Sequence, residues 1–471
     1  MRINFHESIV MHIDLTQGEI PVQIKKLAVP ASVGFFFHTM YNVTDTYFAG
    51  QISTQALSAL TLSFSVFFMM IAFAGGMSEA VTALVGNAMG KKEHDQAVHI
   101  TLNALVFALF LSLVLTLIGV SSTPYLMSLL GAEGAYLEES LNYINVILYG
   151  SLFFVFSFFI NALLNSVGDT VSFRNILIFS SILNVGLDYW LVFGGLGVAP
   201  LGVSGISFAT VITECITMLY LFYKLTKTPL LKGETTFHVL RSFHLDTEVL
   251  KQLFKQGFPP STNMVLMAMG IFIITYFASP YGKEVIAAFG IGMRVEQIIL
   301  MPAIGLNVAV LAIVAQNNGA QQFERIDETI KIALYYGGII SIIGMVLLLG
   351  VAETLMGLFS DDVRVIEEGA VYLRIEAFIL FPFVVIFVYL AMLQGIEKPK
   401  FIFYISIFRQ VLAPIMLLSV LAFLGLGLVW IWLSIAFIVS LSALITWRYS
   451  RMKLIEVSLK DSAHEVVLSQ K

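Results

Sequence analysis

Long apolar runs alternate with short polar segments along almost the whole chain. Each run has about 20 residues or more, which matches the hydrocarbon thickness of a bilayer. Because lipid offers the backbone no hydrogen-bond partner, each run is predicted to cross the membrane as an α-helix. The predicted spans are 25–49, 57–86, 98–120, 136–163, 173–195, 202–224, 253–279, 286–315, 329–351, 367–394, 400–423 and 428–449.

The second half of this pattern repeats the first half at a constant offset of 229 residues. The repeat pairs Thr46-Tyr47-Phe48-Ala49 with Thr275-Tyr276-Phe277-Ala278, Pro30 with Pro259, Ser32 with Ser261, Gly76 with Gly305, and Tyr143 with Tyr372. Six spans per half is an even number, so both halves enter the membrane in the same sense. The sequence therefore predicts an all-α integral membrane protein with twelve transmembrane helices in two six-helix bundles. A pseudo-two-fold axis along the membrane normal relates the bundles.

The composition agrees with a membrane protein. Of the 471 residues, 58% are hydrophobic and 12% are charged, whereas about a quarter of the residues of a soluble protein are charged. The single cysteine, Cys215, excludes an internal disulfide. The first 24 residues lack the continuous apolar core of a signal peptide, so they are interpreted as a soluble arm.

Basic residues concentrate on one side of the predicted membrane. Of the 26 Lys and Arg residues, 21 lie in the arm, the loops from even to odd spans and the C-terminal tail, and only Lys283 and Arg364 lie in the opposite loops. This asymmetry predicts a multi-pass protein of the cytoplasmic membrane with both termini in the cytoplasm. The predicted parts are an arm (1–24), an N-lobe (25–224), a linker (225–252), a C-lobe (253–450) and a tail (451–471).

Polar groups inside the spans break the repeat. A charge placed centrally in a span costs at least about 2.5–3.5 kcal/mol, so each such residue is a candidate for function. The repeat supplies an internal control, because the second half has apolar residues at the same depth. It pairs Asp45 with Ile274, Asn184 with Ala413, Asp188 with Leu417, and Glu214 with Ala443.

The spacing of these groups predicts that they meet. Asn184 and Asp188 are four residues apart, as are Thr210 and Glu214, so each pair lies on one helix face. If Asp45, Asp188 and Glu214 approach one another, they cannot all ionise at low cost. One of them could then take up a proton at one membrane face and release it at the other. Alternatively, the oxygens of Asp45, Asn184, Asp188 and Thr210 could hold Na⁺.

Four motifs resemble those of the multidrug and toxic compound extrusion (MATE) family. They are "NVTDTYFAG", "VGNAMGKKEHDQA", "FINALLNSVGDTVSFRNILIFSSILNVGLDYWLVFGGLG" and "IAAFGIGMRVEQIILMPAIGLNVAVLAIVAQNNGA", the last of which resembles the DinF-like branch. The resemblance covers residues 25 to 450. It implies two six-helix lobes and a secondary active antiporter that exports organic, often cationic, compounds in exchange for H⁺ or Na⁺.

The resemblance also implies roles for individual residues. It places cation coupling on Asp45, Asn184, Asp188 and Thr210, a bend of the first helix at Pro30, and the N-lobe drug cavity at Tyr41, Tyr143 and Asn161. The bend is physically reasonable, because a proline removes one hydrogen bond of the helix. Glu214 departs from the DinF-like pattern, which more usually has an apolar residue there, and it is a possible additional acid.

Two alternatives come from other classes. A lipid-linked oligosaccharide flippase of a related fold would need a strongly basic cleft, whereas Arg294, Arg374 and Arg409 are the only basic residues in the spans. With Glu296 and Glu376, these residues are expected to pair for structural reasons. A non-transporting structural or receptor protein would keep its full function after loss of Asp45.

The sequence contains no P-loop or HExxH motif, so neither enzyme activity nor a cofactor beyond the coupling ion is expected. The expected partners are drug-like small molecules and lipid, without nucleic acid, and the expected state is a monomer.

Overall fold

The fold is almost entirely helical. The computed structural model describes residues 14–129, 131–195, 197–232 and 243–469, with side chains up to residue 459. The first half contains α1 (Ile20–Ile52), α2 (Thr54–Gly90), α3 (His94–Leu129), α4 (Gly134–Tyr149), α5 (Ser151–Ser166), α6 (Val171–Phe193) and α7 (Val203–Leu225). The second half contains α8 (Thr247–Ala278), α9 (Lys283–Gly319), α10 (Phe323–Gly357), α11 (Val363–Glu376), α12 (Leu380–Gly395), α13 (Lys400–Ile407), α14 (Ala413–Phe423) and α15 (Leu428–Ser469).

These helices confirm the predicted membrane protein. Among the described residues, 10 helices are long and apolar enough to cross a membrane, with α13 and α14 counted as one helix through the π-helical turn Phe408–Leu412. Two further spans are bent pairs, α4 with α5 at 45° and α11 with α12 at 52°. Together they account for all twelve predicted spans, six in each half.

The two bends occupy equivalent places in the repeat. Gly150 separates α4 from α5, and the residue 229 positions later, Ile379, lies between α11 and α12. At the first bend, a Cβ atom on Gly150 would lie 2.6 Å from a methyl carbon of Val211 on α7. The bend therefore lets α7 pack directly on the backbone of the broken span.

The chain forms two compact units. One holds Val33–Ser261, and the other holds Leu15–Ser32 and Thr262–Lys471. This division differs from the predicted domain boundaries, because residues 15–32 belong to the second unit and residues 253–261 to the first. Parts of the predicted arm (1–13) and linker (233–242) lie outside the described residues, and α15 continues to Ser469 through the predicted tail.

A close helix crossing at a glycine recurs in the two units. In the first unit, a Cβ atom on Gly76 of α2 would overlap the backbone of Ser261, and the Ser261 hydroxyl donates to the carbonyl of Phe73 over 2.9 Å. In the second unit, a Cβ atom on Gly305 of α9 would overlap the Ser32 hydroxyl and the Ala28 carbonyl. The offset of 229 relates Gly76 to Gly305 and Ser32 to Ser261, so the repeat is visible in the packing.

The helices separate an apolar outer surface from a packed interior. On α3, Phe110, Leu113 and Leu117 are between 61% and 70% exposed at helical spacing, as expected of a face that meets lipid. In the first unit, Phe48 and Phe154 pack in the apolar core. Several buried polar residues, among them Asp45 and Asp188, lie within this interior.

Candidate functional site

Four predicted coupling residues are buried inside the first unit. Asp45 of α1 is 4% exposed, Asn184 and Asp188 of α6 are 0% exposed, and Thr210 of α7 is 7% exposed. The Thr210 hydroxyl donates to Oδ2 of Asp45 over 3.1 Å and also lies 3.0 Å from the carbonyl of Ile206 in its own helix. The structure therefore joins α1 and α7 through a carboxylate that faces a hydroxyl.

Close packing of α6 on α7 brings the remaining members to the same region. A Cβ atom on Gly205, near the start of α7, would lie 2.7 Å from the carbonyl of Leu191 on α6. Glycine at this position lets the two helices approach at the depth of Asp188 and Thr210. The local sequence thus supplies both the polar groups and the small residue that lets them converge.

The polar groups of the cluster lie close enough to interact electrostatically. The carboxylate of Asp45 repels that of Asp188, and both charges act on the hydroxyl of Tyr143. Asn184 lies beside Asp45. Among the described residues, Oδ1 of Asp45, both carboxylate oxygens of Asp188 and both amide atoms of Asn184 have no hydrogen-bond partner of normal length. Carboxylate and amide oxygens are hard ligands for a small cation, and a proton would also remove the repulsion.

Glu214 belongs to a neighbouring set of residues. It is 7% exposed on α7, its charge acts on Tyr41 of α1, and its carboxylate lies near the hydroxyl of Ser157 on α5. The Tyr41 hydroxyl is in turn near Ser180 and Thr217. The additional acid therefore lies beside a predicted drug-binding tyrosine.

The three predicted cavity residues are buried on three helices of the first unit. Tyr41 and Tyr143 are each 6% exposed and Asn161 of α5 is 8% exposed. Tyr143 and Asn161 lie on opposite sides of the bend between α4 and α5. The ring of His38 packs edge-on against Tyr41, with 6.0 Å between ring centroids. Tyr41 therefore lies next to Glu214 and Asp45, and Tyr143 next to Asp45 and Asp188.

The first helix is continuous through Pro30. It runs unbroken from Ile20 to Ile52 with Pro30 inside it, and the chain passes from the second unit to the first between Ser32 and Val33. The predicted rearrangement at Pro30 stays a prediction. Its position places a residue that lacks an N–H, in the interior of α1, close to the boundary between the units.

The predicted charge network of the second half divides into a buried and an exposed part. Glu376 is 1% exposed and Arg409 is 7% exposed. Glu296 acts on both of them and accepts a hydrogen bond from the Tyr372 hydroxyl over 2.9 Å.

The exposed part is separate from this network. Arg374 pairs with Glu353 over 2.9 Å at the surface, and Arg294 is exposed. The predicted network is therefore wrong for Arg374, which pairs with a residue outside the predicted set.

Comparisons with known proteins agree with this architecture. A sequence profile described as MatE matches residues 30–190 and 259–420. The probable multidrug resistance protein YoeA of Bacillus subtilis (strain 168) is 29% identical over 66% of this chain and 67% of its own length. The probable multidrug resistance protein NorM of Thermotoga maritima is 27% identical over 76% of each chain.

The fold is also similar to that of a solved structure. An outward-facing multidrug resistance MATE family transporter of the MOP superfamily matches with a TM-score of 0.87 and 22% identity. The match covers 95% of this chain and 98% of that transporter.

Proposed function

Because this chain belongs to the MatE family of multi-pass membrane transporters, we propose that it is a secondary active multidrug efflux antiporter. It exports organic, often cationic, compounds in exchange for H⁺ or Na⁺. The two relatives described above carry names of multidrug resistance proteins, which supports this substrate class. We further propose that it works in the cytoplasmic membrane with both termini in the cytoplasm.

One observation supports the proposal that cation binding at Asp45 and Asp188 is coupled to drug export. Asp45 and Asp188 are buried in one polar cluster, and their charges repel. Burial of an unpaired charge is costly unless the charge is neutralised or paired. A proton on either carboxylate, or Na⁺ between them, removes the repulsion, so the loaded and empty cluster favour different packings of α1, α6 and α7.

Exchange follows when the cation and the drug favour opposite states. A cation entering from outside binds at Asp45 and Asp188, and α1 rearranges near Pro30. The surface made by Tyr41, Tyr143 and Asn161 then releases the drug outward. The two ligands need no direct contact, because each only has to bind one conformation more tightly than the other.

The aromatic and amide lining suits varied organic cations. The faces of aromatic rings attract cationic groups, and the hydroxyl and amide groups of Tyr143 and Asn161 offer hydrogen bonds. Glu214 beside Tyr41 adds a negative charge on the same side of the cluster. We propose that Glu214 strengthens the preference for cationic over neutral compounds.

The flippase alternative receives no comparable support. Among side chains that the structure describes, Arg409 is the only Lys or Arg that is buried. Its guanidinium already faces Oδ1 of Asn263 at 3.5 Å and the ring of Phe383 at 5.8 Å. A pyrophosphate group would need several such cations in one cleft.

Efflux from proteoliposomes with an imposed gradient tests the proposal. Ethidium efflux is measured with a pH gradient or a Na⁺ gradient alone, for wild type, Asp45→Asn and Asp188→Asn. We expect one gradient to drive efflux in the wild type and both variants to lose at least about 90% of the initial rate, because each removes an ionisable oxygen.

Asp361→Asn is the matched control, because it makes the same chemical change at an exposed site and should leave efflux unchanged. Normal pumping by both buried variants would refute the coupling site. Absence of efflux under both gradients in the wild type would refute the antiporter mechanism.

A further inference from the structure

Three potential metal ligands meet at the polar end of the first unit, away from the buried acids. His99 lies in the second turn of α3, and His244 and Asp246 lie just before α8. One ligand atom from each residue lies within 4.8 Å of the other two. The rings of His99 and His244 are 5.1 Å apart between centroids.

The distances fit tetrahedral coordination. Bonds of about 2.0–2.1 Å from Zn²⁺ to nitrogen and oxygen place two ligand atoms of a tetrahedral site about 3.3 Å apart. Nε2 of His99 lies 3.3 Å from Oδ2 of Asp246. The spacing of these two atoms therefore matches that of two ligands of one metal ion, and Nδ2 of Asn103 also lies 3.3 Å from Nε2 of His99. His244 is exposed, and a side-chain shift of about 1.5 Å brings its nitrogen into the same shell.

The surrounding hydrogen bonds hold the carboxylate in place. Oδ1 of Asp246 accepts the backbone N–H groups of Glu248 at 2.9 Å and Val249 at 3.3 Å, as the N-cap of α8, which leaves Oδ2 directed at His99. Asn103 is 0% exposed, and its Oδ1 accepts the backbone N–H of Asp246 over 2.9 Å. Such outer partners typically orient the ligands of a metal site.

The contact of His99 with Asp246 involves only one of the two imidazoles. The second imidazole lies in the same cluster, where two protonated rings would repel each other. Two neutral imidazoles and one carboxylate are a ligand set that Zn²⁺ and related transition metals accept, with further positions left for water.

From this geometry we propose that His99, His244 and Asp246 form a binding site for one divalent transition-metal ion, and that the ion it binds is Zn²⁺. The bound ion ties the start of α8 to α3. His99 lies near the start of α3, which follows Lys91 and Lys92 in the sequence, on the side that the charge distribution predicts to be cytoplasmic. It is separate from the proposed coupling residues, so metal binding and drug transport are tested independently.

Metal titration of the full chain tests the site. The protein is purified in detergent without a polyhistidine tag, stripped with a chelator and titrated with Co²⁺, whose ligand-field absorption reports nitrogen and oxygen coordination. Zn²⁺ affinity is measured by competition with a chromophoric chelator. We expect one site per chain, and Zn²⁺ should raise the thermal unfolding midpoint because it binds the folded state.

The variants separate a built site from surface binding. His99→Gln and His244→Gln should each weaken Zn²⁺ binding by more than about 100-fold, because loss of an outer partner alone costs about 10–100-fold. His94→Gln, an exposed histidine at the first position of α3, is the control and should change nothing.

His244→Gln keeps the test valid even if His99→Gln misfolds, because His244 is exposed. Lack of stoichiometric binding, or equal effects of His94→Gln and His244→Gln, would overturn the proposal.

Discussion

At the scale of single residues, Thr210 connects the acid of α1 to α7. Its hydroxyl lies within hydrogen-bond distance of both Asp45 and the carbonyl of Ile206. A substitution of Thr210 therefore changes the surroundings of the Asp45 carboxylate without removing a charge. A hydroxyl is also the one polar group here that can be removed without a change of side-chain shape, because valine has almost the same volume as threonine.

We expect Thr210→Val to weaken both stability and transport. It leaves Oδ2 of Asp45 buried without its partner, which costs about 1–3 kcal/mol. The thermal unfolding midpoint and the initial rate of efflux at low cation concentration should both fall. Thr210→Ser keeps the hydroxyl and should retain most of both. Equal behaviour of the two variants would show that the hydrogen bond has no role.

The carboxylate of Asp246, outside the membrane spans, supplies a pH dependence. The backbone N–H of Glu248 and, to a lesser extent, the side chain of His99 hold the pKa of Asp246 below its usual value. A lowered pKa in the folded state means that this carboxylate stabilises the protein above the ordinary Asp pKa of about 3.9. That stabilisation is lost as the pH falls through the folded pKa.

Thermal unfolding with a chelator present measures this effect. The midpoint of Asp246→Asn should lie below that of the wild type at pH 7, and the difference should shrink as the pH falls below about 4. Asp361→Asn, at an exposed loop position, should show no such convergence. A difference that is constant with pH would contradict the assignment.

At the scale of helices, the crossing of α1 and α9 depends on Gly305. A methyl group there meets the Ala28 carbonyl and the Ser32 hydroxyl, and the backbone cannot move without disturbing the helix. Gly305→Ala should lower the free energy of unfolding by about 1–3 kcal/mol, the usual cost of overpacking. Circular dichroism or a thiol-dye melt in detergent measures it.

Gly290 provides the control for this substitution, because it lies in the same helix with open space around its Cα. Gly290→Ala should be neutral or slightly stabilising, since alanine favours a helix over glycine by about 1 kcal/mol. If both variants melt alike, close packing at Gly305 does not matter.

The helices also show what an apolar pattern can and cannot predict. The twelve spans follow from run length, because the bilayer fixes the length of each run. The breaks at Gly150 and at 377–379 do not, because the apolar pattern continues through both and the first bend depends on packing against Val211. The apolar pattern also gives no indication that α15 continues into the predicted tail, since a polar helix carries no apolar signal.

Residues of the proposed coupling site could be predicted where the residue 229 positions later in the repeat is apolar. Asp45 and Asp188 stand out because their partners are isoleucine and leucine, and Thr210 follows from its resemblance to the family pattern. The proximity of Glu214 to Tyr41 was not predictable from spacing on one helix. His99 and Asp246 are 147 positions apart, so no local pattern could indicate that they meet.

At the scale of the whole molecule, the repeat preserves the scaffold and varies the ionisable residues. Each half has a glycine at a close helix crossing, Gly76 or Gly305, and one bent span. The ionisable residues inside the spans do not recur in both halves, since Glu296, Glu376 and Arg409 correspond to Phe67, Ile147 and Ser180 in the first half. Tyr143 and Tyr372 are an exception, because these equivalent tyrosines both lie beside carboxylates. One duplicated framework therefore carries two different polar interiors.

The orientation in the membrane is the property on which inward and outward steps depend. The charge asymmetry predicts that the loop between α2 and α3 faces the cytoplasm and the loop between α10 and α11 faces outward. Cys215 is the single cysteine, so a Cys215→Ser background allows one label site at a time. Asp361→Cys and Lys91→Cys place a thiol at an exposed position in each loop.

In right-side-out vesicles, a membrane-impermeant maleimide should label Asp361→Cys at once and Lys91→Cys only after permeabilisation. Both variants should be labelled fully in detergent, which shows that each thiol is reactive. Labelling of Lys91→Cys in sealed vesicles would invert the topology. A cation entering from outside would then meet the opposite end of the first unit, and the Zn²⁺ site would face away from the cytoplasm. The direction of proposed transport therefore stands on this one measurement.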